Sequence, residues 1–262
     1  MIIAGCSGYD CVPLLFFYPV IGIILTIGGG RIGTFSAIWR GLDWSVLTDI
    51  LLSIIPALVC ITLHELAHGF VAYKLGDNTA KLAGRMTLNP LKHIDAMGLL
   101  MMVVFKFGWA KPVPVDMRKF SNPKKGMAIT ALAGPVANLL IGVAVLFLYG
   151  LLAIPLSGLG GVGDYIARML LITAYLSIAL AIFNLIPIPP LDGSKVLYAL
   201  LPDPAYWKLM RYERYGMLFL VALLFLMNNL DINPLGNAAS YVFDKLFYVA
   251  LWGFDLVSRF AR

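Results

Sequence analysis

Apolar runs of about 20 residues recur along this chain, the length a helix needs to cross roughly 30 Å of hydrocarbon. Lipid offers no partner to a peptide group, so such runs have to close their hydrogen bonds internally, as helices. The runs fall near 12–30, 47–75, 126–154, 165–187 and 214–230, with a weaker one near 94–107. The expectation is an α-helical polytopic membrane protein with about five to six transmembrane helices. Composition agrees, since 60% of the residues are hydrophobic and only 13% charged, against about 25% charged in a soluble domain. Val12 to Ile27 lacks the basic flank of a cleavable signal and is expected to be a retained first span. The segment 236–260 carries Asp244, Lys245, Asp255 and Arg259 among aromatic residues and reads as an interfacial amphipathic helix.

Charge sets an orientation. Residues 74–125 hold ten Lys or Arg against three Asp, which places that loop in the cytoplasm by the positive-inside rule. The 47–75 helix then runs inward, 126–154 runs outward and 165–187 returns. The net charge of +6 therefore belongs to loops between spans. No soluble module interleaves basic and aromatic residues, so nucleic acid is not an expected partner. Cys6, Cys11 and Cys60 give neither a disulfide framework nor a cysteine zinc site. In "WAKPVPVDM", Pro112 and Pro114 exclude a central strand but allow an edge or extended segment. Irregular backbone at membrane depth must be buried in protein or line a wet cavity, so a small sheet-like element is expected beside the 47–75 helix.

That helix contains an anomaly. His64, Glu65 and His68 sit where lipid-facing residues should continue, and ionisable groups in a span are costly and mark functional sites. They form H-E-x-x-H, in which two histidines four apart share a helix face and can bind one zinc, while the Glu can act as general base on water. Histidines bonded to other helices, or a proton relay, are the structural alternatives. A catalytic zinc usually has three protein ligands. Asp192, in "FNLIPIPPLDGSKVL", is the first candidate for the third, although on pattern alone an Asp-Gly turn or a helix N-cap is the favoured reading. His93, in "NPLKHID", is the rival ligand.

His64-Glu65-x-x-His68, "NPLKH" at 89–93, "GWAKPVPV" at 108–115, "AGPVANL" at 133–139 and "NLIPIPPLDG" at 184–193 occur in one order. Together they resemble the site-2 protease family of intramembrane zinc metalloproteases, in its short bacterial or archaeal branch, over about residues 45–200. The resemblance implies hydrolysis of a peptide bond in a transmembrane protein or peptide substrate. It also implies one zinc held by His64, His68 and Asp192, with Glu65 as catalytic base. Asn138, in the Gly-Pro-x-x-Asn motif, is similar to an Asn that family members carry near the active site. Its amide could donate to the oxyanion or substrate carbonyl, and helix packing is its other reading. No segment between the two halves is long enough for a PDZ domain, which other branches carry.

The expected organisation is an N-terminal membrane segment over 1–44, an intramembrane protease core over 45–200 and a C-terminal hydrophobic region over 201–262. The expected location is a prokaryotic inner membrane, with the site nearer the cytoplasmic side. Two other functions fit some of these residues. In a metal-ion or proton transporter the same His, Glu and Asp side chains would bind a passing ion. A catalytically silent homologue would only bind membrane partners, against which the intact H-E-x-x-H and Asp-Gly residues argue.

Overall fold

A computed structural model describes residues 44–96, 98, 110–230 and 234–260. The expected span near 12–30, and most of the one near 94–107, lie outside the described residues. Three long apolar helices dominate: α1 (Trp44–Lys74), and, after a four-residue helix α2 (Thr79–Leu82), α3 (Pro123–Ser157) and α4 (Gly161–Leu185). Each is long and apolar enough to cross a membrane, α1 through Leu52–Lys74. They coincide with the expected 47–75, 126–154 and 165–187 runs. The start of α3 is set locally: the Asn122 side chain accepts the Lys125 N–H, and Pro123 opens the helix where its missing N–H costs nothing. α3 lies at the centre, packed on both α1 and α4.

After α4 the chain forms α5 (Asp192–Ala199), α6 (Asp203–Tyr212), α7 (Gly216–Asn229), α8 (Pro234–Leu246) and α9 (Tyr248–Phe260). The expected 214–230 run is helical as α7, but 14 residues rise only about 21 Å. The 236–260 segment, expected as one helix, is two helices parted at Phe247. α8 packs on α4, where the Tyr175 and Phe243 rings lie 5.6 Å apart. α9 packs on α3, with Phe147 and Trp252 at 5.9 Å. Leu146, Tyr175, Ile178, Phe243 and Ala250 share one buried cluster. An amphipathic face gives the same periodicity whether it meets headgroups or a neighbouring helix.

The basic 74–125 loop crosses the end of α1. The expected sheet-like element is, among the described residues, a single antiparallel bridge between Ile94 and Ala110, followed by the non-helical stretch 111–116. Asp77 ties this stretch to α1. Fully buried, it accepts the Thr79 N–H at 2.9 Å and the Asp116 N–H at 2.7 Å, as well as the Thr79 hydroxyl. Lys119 Nζ stands 3.5 Å away. Burial pushes the Asp77 carboxyl up, but those hydrogen bonds and the Lys119 charge outweigh it and hold the group below the ordinary carboxylate range.

Candidate metal centre

α1 carries His64 and His68 one turn apart, on the face turned to α3. α5 brings Asp192 in its first turn, and the loop before it folds back because Gly193 has no side chain to strike the backbone of Leu185. The three side chains meet. His64 Nε2 lies 3.2 Å and His68 Nε2 3.1 Å from Asp192 Oδ2, and the two Nε2 atoms are 3.0 Å apart. All three residues are buried, at 7%, 8% and 8% exposure, so bulk water does little to balance their charge and lone pairs.

The tautomer of His68 makes the need for a cation explicit. Its Nδ1–H donates to the Thr130 carbonyl at 2.7 Å, so a neutral ring turns the bare Nε2 lone pair toward a carboxylate oxygen that is also an acceptor. Converging acceptors of this kind suit a positive ion. The edges of 3.0–3.2 Å are close to the roughly 3.3 Å between ligand atoms bound tetrahedrally at about 2.0–2.1 Å, as zinc requires. Two imidazoles and a carboxylate are also an ordinary zinc set. These residues fit the metal, and they are the one group of three or more such ligands that converges among the described residues.

Comparison with known proteins agrees. Residues 162–227, which include Asp192, match Peptidase family M50. "Putative zinc metalloprotease YwhC" of Bacillus subtilis is 39% identical over 196 residues, covering 74% of this chain and 90% of that protein. The chain belongs to peptidase family M50. "Putative zinc metalloprotease Rip2" of Mycolicibacterium smegmatis is 32% identical over 171 residues, 64% of each chain. Its namesake in Mycobacterium tuberculosis is 28% identical over 203 residues, 76% of this chain and 71% of that one. No solved structure matches. This M50 protein is therefore a zinc metalloprotease of the site-2 type and a membrane protein, with a protein as its substrate class.

Other residues singled out in the sequence separate into two groups. Glu65 follows His64 on α1, and Asn138 touches His64 from α3. Glu65 Oε2 accepts the Val113 N–H at 2.9 Å. Asn138 is completely buried, with its amide nitrogen 3.2 Å from His64 Nδ1 and its backbone carbonyl taken by the Ser177 hydroxyl at 2.8 Å. His93 does not join the ligands, since its Nε2 pairs with the Thr87 carbonyl at 3.0 Å. Asn184, also in a matching motif, donates to the Leu180 carbonyl at 3.0 Å and serves its own helix.

Sequence reading missed two parts of the M50 site. Thr130 acts through its carbonyl, which no residue type advertises. Gly134 opens the Gly-Pro-x-x-Asn motif, and a Cβ there would sit 2.5 Å from His68 Nε2 and 2.6 Å from His64 Nε2. The signal was present, because Thr130, Gly134 and Asn138 recur every four residues and form one stripe on α3.

Proposed function

We propose that this M50 protein is an intramembrane endopeptidase that cuts transmembrane proteins, with one zinc per chain held by His64, His68 and Asp192 and with Glu65 as general base. The observation that carries the reading is the convergence of three buried acceptors within 3.2 Å beside Glu65, on a helix long enough to span. Zinc, when bound, would supply Lewis acidity toward the scissile carbonyl and lower the pKa of water. Glu65 takes the proton of the attacking water and passes it to the leaving amine, so that OH adds to the carbonyl carbon and H to nitrogen. Its Oε2 is held by Val113, which keeps the other oxygen for the proton. His68 is fixed in the Nδ1–H tautomer by Thr130.

Asn138 holds His64 from behind. An imidazole that binds through Nε2 carries its proton on Nδ1, and the complementary group is an amide oxygen. Asn138 Oδ1 has no other partner, and the amide turned by half a rotation accepts that proton. Complete burial favours this positioning role over contact with a substrate carbonyl. The two histidines lie ten and six residues before Lys74, or about 15 and 9 Å along the helix. That depth, with the basic 74–125 loop, supports a site nearer the cytoplasmic side of a prokaryotic inner membrane. Residues 45–200 supply every group named, which supports treating them as the catalytic core.

The test is a paired assay on purified wild type and Glu65→Gln in detergent, measuring zinc per chain and cleavage of a transmembrane peptide with and without chelator. The expected result is about one zinc in both, with chelator-sensitive cutting by the wild type alone and a loss of at least about a thousandfold in the variant, as when groups that work as a unit are broken. Zinc missing from the wild type would overturn the ligand assignment. Zinc bound by both without cleavage, together with ion flux in vesicles, would favour the transporter.

A further inference from the structure

We propose that Arg85 is a positioning residue for Glu65, acting through the backbone of residues 111–113; this rests on the reading of Glu65 as the base. The Arg85 side chain is buried, at 8% exposure, and among the described residues no carboxylate pairs with it. Its Nη2 instead donates to the Lys111 carbonyl at 2.6 Å and the Pro112 carbonyl at 3.3 Å. A buried guanidinium is costly unless hydrogen-bonded, so these carbonyls and the cation hold one another in place. The next peptide group is that of Val113, and its N–H goes to Glu65 Oε2 at 2.9 Å.

The flanking residues make this link directional. Pro112 and Pro114 have no N–H, so Val113 supplies the only donor in three residues. Lys111, one step earlier, donates its own N–H to the His93 carbonyl at 2.9 Å. The Val113 side chain is buried as well. It docks where Gly69, one turn beyond Glu65, leaves room: a Cβ at Gly69 would lie 3.3 Å from Val113 Cγ1. Val113 is thus seated on α1 by its side chain, set along the stretch by Arg85 and bonded to the base by its amide. A Glu has three side-chain torsions, and catalysis needs the carboxylate in one place. The chain from Arg85 to Val113 supplies that restraint without touching the metal ligands.

The experiment uses the full chain in detergent with wild type, Arg85→Ala, Arg85→Lys, Val113→Pro and Glu65→Gln. Val113→Pro removes the amide hydrogen while leaving Arg85 in place. Readouts are zinc per chain, kcat and KM on a transmembrane peptide, and hydrogen exchange over residues 110–115. Arg85→Ala is expected to lower kcat at least about tenfold, since misplacement by 1 Å can cost a hundredfold, with KM within about twofold and zinc retained. Exchange over 110–115 should speed up, Arg85→Lys should recover part of kcat, and Val113→Pro should reproduce the kcat loss with Arg85 intact. If Arg85→Ala does not fold, Val113→Pro and Arg85→Lys decide by the same readouts. Unchanged kcat in the folded variants, a rise in KM with kcat preserved, loss of zinc, or unchanged exchange in Arg85→Ala would each overturn the proposal. Glu65→Gln separates the two readings. If it cuts like the wild type, the catalytic assignment fails; if it is inactive while the Arg85 and Val113 variants behave as wild type, only the positioning role fails.

Discussion

The two halves of the centre are built differently. The metal side is made by helices: α1 gives His64 and His68, α5 gives Asp192, and α3 backs them with Thr130, Gly134 and Asn138. The base side, where Glu65 of α1 is the proposed base, is held by a non-helical stretch, in which Lys111, Val113 and Asp116 are each tied down by one backbone N–H, to His93, Glu65 and Asp77 respectively. Helical backbone satisfies its own hydrogen bonds and positions side chains by packing. An irregular stretch has to be held from outside, peptide by peptide. The metal side should therefore fail through sterics and ligand loss, and the base side through the polar contacts that hold the loop.

The largest expected effect is on the metal side. Gly134→Ala puts a methyl group within 2.5–2.6 Å of both imidazoles, and zinc per chain should fall from about one to near zero, with cleavage lost. Metal analysis checks this, and a variant that keeps its zinc would mean that α3 does not press on the pair as described. Asn138→Ala comes next. It leaves His64 Nδ1 without its partner and should weaken zinc about tenfold to a hundredfold, as read by competition with a chelator, while the melting temperature of the zinc-loaded protein changes little.

Asp77 tests the other half. Asp77→Asn should cost about 2 kcal/mol, the scale of hydrogen bonds to a charged acceptor, and lower the melting temperature without reducing zinc affinity. Loss of zinc in this variant would show the two halves to be one unit. The sign with pH follows from the depressed carboxyl of the folded state. Its contribution is fully present above the unfolded value of about 3.9 and is lost as pH falls through the lower folded value. The melting difference between wild type and Asp77→Asn should hold from neutral pH to about pH 5 and shrink below about pH 4. Lys119→Ala is the smallest change, because a partly exposed ion pair at 3.5 Å contributes about 0–1 kcal/mol.

The same division explains what could be read in the sequence. The long helices were legible because lipid imposes length and apolarity together, and His64, Glu65 and His68 because their spacing is local to one helix. Asp192 was not legible from spacing, since it reaches the histidines only after α4 has returned and the Pro-rich turn has folded back. Its assignment came from a resemblance carried by whole motifs. The link from Arg85 through Val113 to Glu65 was hidden for a further reason: it runs through the backbone atoms of residues 111–113, which are alike in every residue. The proline pair was visible, but it shows only where donors are missing, not where the remaining one points. The packing of α8 on α4 and of α9 on α3 was not legible, because periodicity records an apolar face and not the identity of what covers it.

Gly134 bears on how members of this family should be sorted. A chain that matched this one elsewhere but carried alanine at 134 would keep H-E-x-x-H, keep Asp192 and keep the helical scaffold, yet have no room between its imidazoles and the facing helix. A search on H-E-x-x-H and the Asp-Gly pair alone would count it among the enzymes. A single hydrogen atom, standing where every other amino acid has carbon, is the mark by which an inert relative could be told from a working one.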